Sequence, residues 1–173
     1  YVVTRDYGFA PNPFGGYCTL ATCKPKIRLC ASKGDWIFGI TSKKLENKLL
    51  FAMHVQYKLT YNEYWNDRKF KFKKPVMNGS LKQMYGDNIY YFDENENKWY
   101  QENSHHSLDN GETNLLNLKR DTPGKYVLIS EEFFYFGSEH IEIPSSIKKH
   151  LIVGIGHKIL EEKGRGAPPL VDC

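Results

Sequence analysis

The chain has 173 residues, of which 40% are hydrophobic and 14% aromatic, enough for one domain with a substantial core. Its 24 Lys and Arg against 20 Asp and Glu leave a net charge of +4, a mild basic bias that permits an anionic partner without demanding one. No apolar run approaches the roughly twenty residues of a membrane span, and four cysteines with no secretory signal at Tyr1 point to the reducing cytoplasm rather than to a disulfide scaffold.

In chain order, Tyr1 to Thr4 is β-branched and aromatic and reads as a first strand. Asp6 to Gly16 is too rich in Pro, Gly and Asn for a regular element, and ordered loops of that kind often carry function. A second strand is expected within Tyr17 to Thr22, and a short helix from about Lys26 to Ser32, with Pro25 tolerated at its first turn. Trp36 to Ile40 and Leu49 to Val55 flank a polar turn and read as an antiparallel pair. Thr60 and Glu63 have the spacing of a capping box before a helix over Tyr61 to Trp65.

Arg68 to Lys74 alternates cations with Phe70 and Phe72. That pattern fits a strand with one apolar face, either tracking phosphates or simply solvated on its outer face. Turn signals fill Pro75 to Asn88. Ile89 to Phe92 and Trp99 to Gln101 read as short strands, Ser104 to Glu112 as a polar loop, and Asn114 to Asp121 as ambiguous. Tyr126 to Ser130 is a strand, Glu131 to Phe136 is aromatic, a helix is expected from Ser145 or Ser146 to Leu151, and Gly164 to Cys173 is a loop or tail. The sum is a single α+β domain over residues 1–173, built on a curved, mostly antiparallel sheet or small barrel with short helices.

Several groups in the loops could carry chemistry. Ser104-His105-His106-Ser107 offers a titratable pair near neutral pH, so His105 and His106 are candidate proton shuttles, with Asp6 or Asp87 as the general acid or base. Gln83, Tyr85 and Asn88 match a base by stacking and by paired donors and acceptors. Lys24, Arg28, Lys119 and Arg120 suit a phosphate or a carboxylate. Tyr7 and Trp36 could enclose a planar ring, and Asn12 lies in the same loop as Tyr7. Cys18, Cys23 and Cys30 are mainly small core residues; Cys18 or Cys23 as a nucleophile, served by His105 or His106, is the alternative. Their spacing does not fit a structural zinc site, so no metal is assigned and no cofactor is named. Phosphate-loop, dinucleotide, zinc-protease and nucleophile-elbow motifs are all missing.

Two resemblances add to this. Gly34-Asp35-Trp36-Ile37-Phe38-Gly39 and Leu50 to Val55 resemble the PUA-like barrels of the ASCH, EVE and YTH modules. A longer series resembles the second nucleotide-modification-associated domain family over nearly the whole chain to about Gly137: Asp6 to Phe14, Cys18 to Ala21, Cys23-Lys24-Pro25, Ile27-Arg28, Gly34 to Ile37, Lys82 to Asn88, Ser104 to Ser107, Asn117 to Thr122 and Phe134 to Gly137. That resemblance implies a role near DNA-base modification in prokaryotes and phages, with a nucleotide or nucleic acid, including modified DNA, as partner and no membrane. It carries over no reaction. Two readings follow: an enzyme in which Asp6, Lys24, Asp87, His105 and Arg120 converge on one site, and a non-catalytic PUA-like reader with an aromatic cage around Trp36. A small-nucleotide binder in phage defence fits the same pocket.

Overall fold

The strand Tyr126–Ser130 runs through the middle of the molecule, and the architecture follows from its being buried on both faces. The computed structural model describes residues 1–145. Its strands are β1 (Cys18–Leu20), β2 (Trp36–Ile40), β3 (Leu49–His54), β4 (Tyr57–Thr60), β5 (Tyr90–Asp93), β6 (Lys98–Gln101), β7 (Tyr126–Ser130) and β8 (Phe133–Tyr135). Its helices are α1 (Pro25–Cys30), α2 (Tyr61–Asn66), α3 (Leu81–Met84) and α4 (Leu115–Asp121), with short 3-10 segments elsewhere, the longest of them Arg68–Lys73. The strands form three antiparallel sheets, ordered β1-β7-β4, β2-β3-β8 and β5-β6.

Period-two alternation places successive residues of β1 and β7 on opposite sides. Cys18, Leu20 and Leu128 enter one core with Tyr1, Val3, Phe51 and Met53. Val127 and Ile129 enter a second core with Phe9, Tyr61, Tyr64, Phe70, Ile89 and Tyr90. A strand covered on both faces must read as an unbroken apolar run, as Val127-Leu128-Ile129 does. The ribbons β3–β4 and β7–β8 bend together where they pass from one sheet to the next, held by His54 N–H to the Glu132 carbonyl and Gln56 N–H to the Ile129 carbonyl. In β2, Gly39 is required by packing: a Cβ there would sit 1.9 Å from the Phe51 ring.

The α+β class with short helices is as expected, and the capping box of Thr60 and Glu63 forms at α2. Three expectations are corrected. None of the sheets closes into a barrel, because strands of three to six residues are capped at their edges by loops and turns. The segment Tyr1 to Thr4 makes only a one-residue parallel bridge, Val2 to Ile40, at the edge of β2. Arg68–Lys73 is 3-10 helix rather than strand. There the Asp67 side chain accepts the Lys69 N–H, and the three-residue spacing sends Phe70 and Lys73 inward together while Phe72 stays exposed. Strand β4 is an element the sequence reading lacks. The expected helix to Leu151, beyond its first residue, and the tail from Gly164 lie outside the described residues.

Candidate functional site

The Asp6 to Gly16 loop, the start of α1, the Ser104 to Ser107 turn and the end of α4 meet around a cleft of about 380 Å³. Its walls include Arg5, Tyr7, Phe9, Cys23, Lys24, His105, His106 and Arg120. Strand β1 delivers Cys23 by ending three residues earlier, at Leu20, and Pro25 then opens α1. Between them Cys23 (φ 56°) and Lys24 (φ 41°) both adopt the left-handed backbone region. Two consecutive non-glycine residues there cost on the order of 1–3 kcal/mol each, a strain that surrounding structure must hold.

At the cleft floor Cys23, His106 and Asp121 form a chain. The Cys23 Sγ lies 3.7 Å from His106 Nε2. His106 Nδ1 donates to Asp121 Oδ2 at 2.9 Å, and the buried Cys23 N–H donates to the other carboxylate oxygen at 3.0 Å. Tyr90 adds a donated hydroxyl to Asp121 Oδ2 at 3.1 Å. Burial chiefly raises the Tyr90 pKa, so it stays protonated and can only donate to the carboxylate. Asn117 fixes the turn from outside by donating to the His106 carbonyl.

The charges follow this geometry. Burial alone lowers the His106 pKa, but the hydrogen bonds to Asp121 and Cys23 outweigh it and lift the imidazole to about 9. Asp121 is wholly buried, which favours its neutral form, yet the His106 hydrogen bond prevails and its pKa falls. His105 is pushed the other way, down, by desolvation and then by the charge on His106. Its ring meets Tyr7, Phe9 and Tyr85 edge-on with centroids 5.1, 5.3 and 5.0 Å away. Adjacent histidines with opposite shifts are suited to different proton states at one pH.

Arg28 supports the floor from beneath. It is fully buried in α1 and donates to the carbonyls of Cys23, Tyr126 and Asp121 and to the Tyr61 hydroxyl. It therefore holds the Cys23 and Asp121 backbones in register and does not face the cleft. Lys24 does face it: its ammonium donates to the Val2 carbonyl at 3.2 Å and lies 4.7 Å above the Tyr1 ring. Burial chiefly lowers its pKa. Arg120 is exposed at the rim, held by Asn117 Oδ1. Tyr7 stacks on Tyr85, centroids 5.3 Å apart and planes 4° apart.

Of the five residues expected to converge, Lys24, His105 and Arg120 reach the cleft and Asp6 and Asp87 do not. The Asp6 carboxylate accepts from the Gly8 N–H and the Tyr135 hydroxyl. Asp87 is buried in the second core, where Thr19 and Tyr64 hydroxyls reach it and desolvation chiefly raises its pKa. Asn12 is equally buried and accepts from Lys73 while donating to the Tyr85 carbonyl. Asn88 donates to the Tyr64 carbonyl, Gln83 closes a capping box on α3, and Lys119 is exposed on α4 outside the cleft lining. Trp36 stands on the outer face of β2, stacked on His54 at 5.1 Å, and builds no cage at the cleft. Cys18, the other candidate thiol, is fully buried and its pKa is pushed up by burial to about 12.

The sequence reading left Asp121, Tyr90, Phe9 and Arg5 out of the site. Asp121 had a signal, since Asn117 to Thr122 was already a charged cluster; Tyr90 had none, being one aromatic in an ordinary strand. Among the described residues no group of three or more His, Cys, Asp or Glu is arranged to hold a metal ion, and no helix is long and apolar enough to cross a membrane.

Fold and cleft together define a small α+β domain in which aromatic and cationic walls surround a thiol–imidazole–carboxylate chain. Comparison with known families gives it a place: the chain belongs to the family described as nucleotide modification associated domain 2, whose model matches residues 1–166. No curated protein and no solved structure matches it.

Proposed function

We propose that the cleft binds a nucleotide, free or at the end of a polynucleotide, and that the protein acts on its base in nucleotide modification. One observation carries this reading. The cleft is lined by the cations Arg5, Lys24 and Arg120 and by the rings of Tyr7, Phe9 and His105, with no Asp or Glu among its lining residues. Phosphate needs cationic N–H donors, and of these three Arg120 also lies 3.5 Å from Asp121 Oδ1 through its Nε. A base needs ring faces and edges. The family's association with nucleotide modification agrees with both.

Lys24 and Arg120 hold phosphate in this reading, Tyr7 and His105 form one wall against the base, and Cys23 with His106 lies below the ring. The reader alternative depended on Trp36, which is turned to a different surface, so the enzymatic reading is preferred.

The test is calorimetric titration of the full chain with mononucleotides, the matching nucleosides and short oligonucleotides, followed by mass spectrometry for retained or altered ligand. Nucleotides should bind at least tenfold more tightly than nucleosides, with the difference abolished in Lys24→Ala/Arg120→Ala and reduced by salt. Equal affinity for nucleoside and nucleotide would refute the phosphate site.

A further inference from the structure

We infer that Cys23 is a covalent nucleophile, activated by His106 and Asp121, and that it adds to C6 of a pyrimidine nucleotide. The inference deepens the nucleotide reading of the cleft and rests on it.

The geometry supports it at each position. Sγ lies 3.7 Å from Nε2, the distance at which an imidazolium pairs with and stabilises a thiolate once substrate tightens the site. Nδ1 is committed to Asp121, so the ring is fixed with Nε2 toward sulfur. The thiol is the half-buried one, in the cleft lining; Cys18 is enclosed beneath it. The strained backbone at Cys23 and Lys24 aims the thiol into the cleft and is held by Asp121 through the Cys23 N–H and by Arg28 through the Cys23 carbonyl. Such strain concentrates where function needs it.

The substrate carbon follows from what the site lacks as well as what it holds. Acyl transfer requires donors at the developing oxyanion, often including the nucleophile's own N–H. Here that N–H is spent on Asp121 at 3.0 Å. A soft thiolate instead favours a carbon conjugated to a carbonyl, and in the nucleobases pyrimidine C6 is such a position. Aromatic walls suit the flat ring.

The step balances without oxidant, reductant or co-reactant. The Cys23 thiolate, paired with the His106 imidazolium, forms a bond to C6. The C5–C6 π pair moves through C4 onto O4 of a uracil or N3 of a cytosine, and a solvent proton then adds at C5. Loss of the original C5 proton and expulsion of the thiolate restore the ring and the thiolate–imidazolium pair. The net change in the absence of any further electrophile is exchange of the C5 hydrogen with solvent.

Two measurements on the full chain test this. In the first, the wild type, Cys23→Ser, His106→Asn and His106→Gln are treated with iodoacetamide at pH 7 and mapped by peptide mass. Labelling should fall on Cys23 and slow at least tenfold in both His106 variants that retain the wild-type circular dichroism; an unchanged rate would overturn the activation. In the second, dUMP and dCMP are incubated with protein in D2O and the H5 signal is followed by proton NMR. The wild type should exchange H5 of at least one of them, and Cys23→Ser should bind the same nucleotide without exchange. Binding without wild-type exchange overturns the pyrimidine step and leaves the nucleotide site standing. Absence of binding in both proteins overturns the nucleotide reading itself.

Discussion

At the residue scale, the most informative pair is His106 and Asp121. Folded, His106 keeps its proton to about pH 9, against 6.5 for the free group. A raised value stabilises the fold fully below about pH 6.5 and loses that contribution as pH climbs toward 9. The amount is on the order of 2 kcal/mol after allowance for incomplete burial. Lys73 acts oppositely from about pH 8 upward, since burial lowers its pKa to about 8 and the folded chain releases its proton first. The clean comparison is therefore wild type against Asp121→Asn between pH 6.5 and 8, by urea unfolding. The wild type should lose stability relative to the variant as pH rises, and a flat difference would show that the pair is not charged as described. His105, with its pKa lowered by desolvation, should titrate below His106 in an NMR pH series.

The element that decides the site is α1. It is six residues long, too short to hold itself together, and it is fixed by Arg28 rather than by a broad apolar face. Replacing Arg28 with Met should cost about 3–5 kcal/mol in chemical denaturation, because three carbonyls and a hydroxyl lose a charged donor. Arg28→Lys should recover only part, since an ammonium cannot span four acceptors with a planar fork. Gly124→Ala tests the same contact from the other side. Its Cβ would stand 2.6 Å from the guanidinium, and a loss of about 1–3 kcal/mol is expected. The signals for such elements were uneven in the sequence. The capping box at α2 is local and was legible; Arg28 looked like a phosphate ligand because nothing nearby in sequence shows that four partners up to 98 residues away will claim it.

For the whole molecule, β7 separates two cores, and this makes a prediction about neighbouring side chains. Leu128→Ala and Ile129→Ala should each cost about 2–5 kcal/mol. Their effects should add to within about 0.5 kcal/mol in the double variant despite their adjacency, because they face different clusters. Strong coupling would mean that the two cores relax as one. The cleft lies where the N-terminal segment and loop, the start of α1, the His105–His106 turn and α4 are pressed together, so it brings residues 1 to 24 against residues 105 to 120.

By itself the sequence determined the α+β class, most of the strands, the family, and the concentration of functional groups in a few loops, all of which depend on local pattern or on runs of matching residues. Only the tertiary structure decided which groups share a site. Asp6 and Asp87 have the right chemistry for acid–base work, but burial and hydroxyl partners commit them elsewhere. Cys23, in sequence one of several small core residues, became the centre of the cleft because folding set His106 3.7 Å from its sulfur and Asp121 2.9 Å behind the imidazole. The physical reason is that a side chain's reactivity is fixed by desolvation and by partners distant along the chain, and those exist only once the chain has folded.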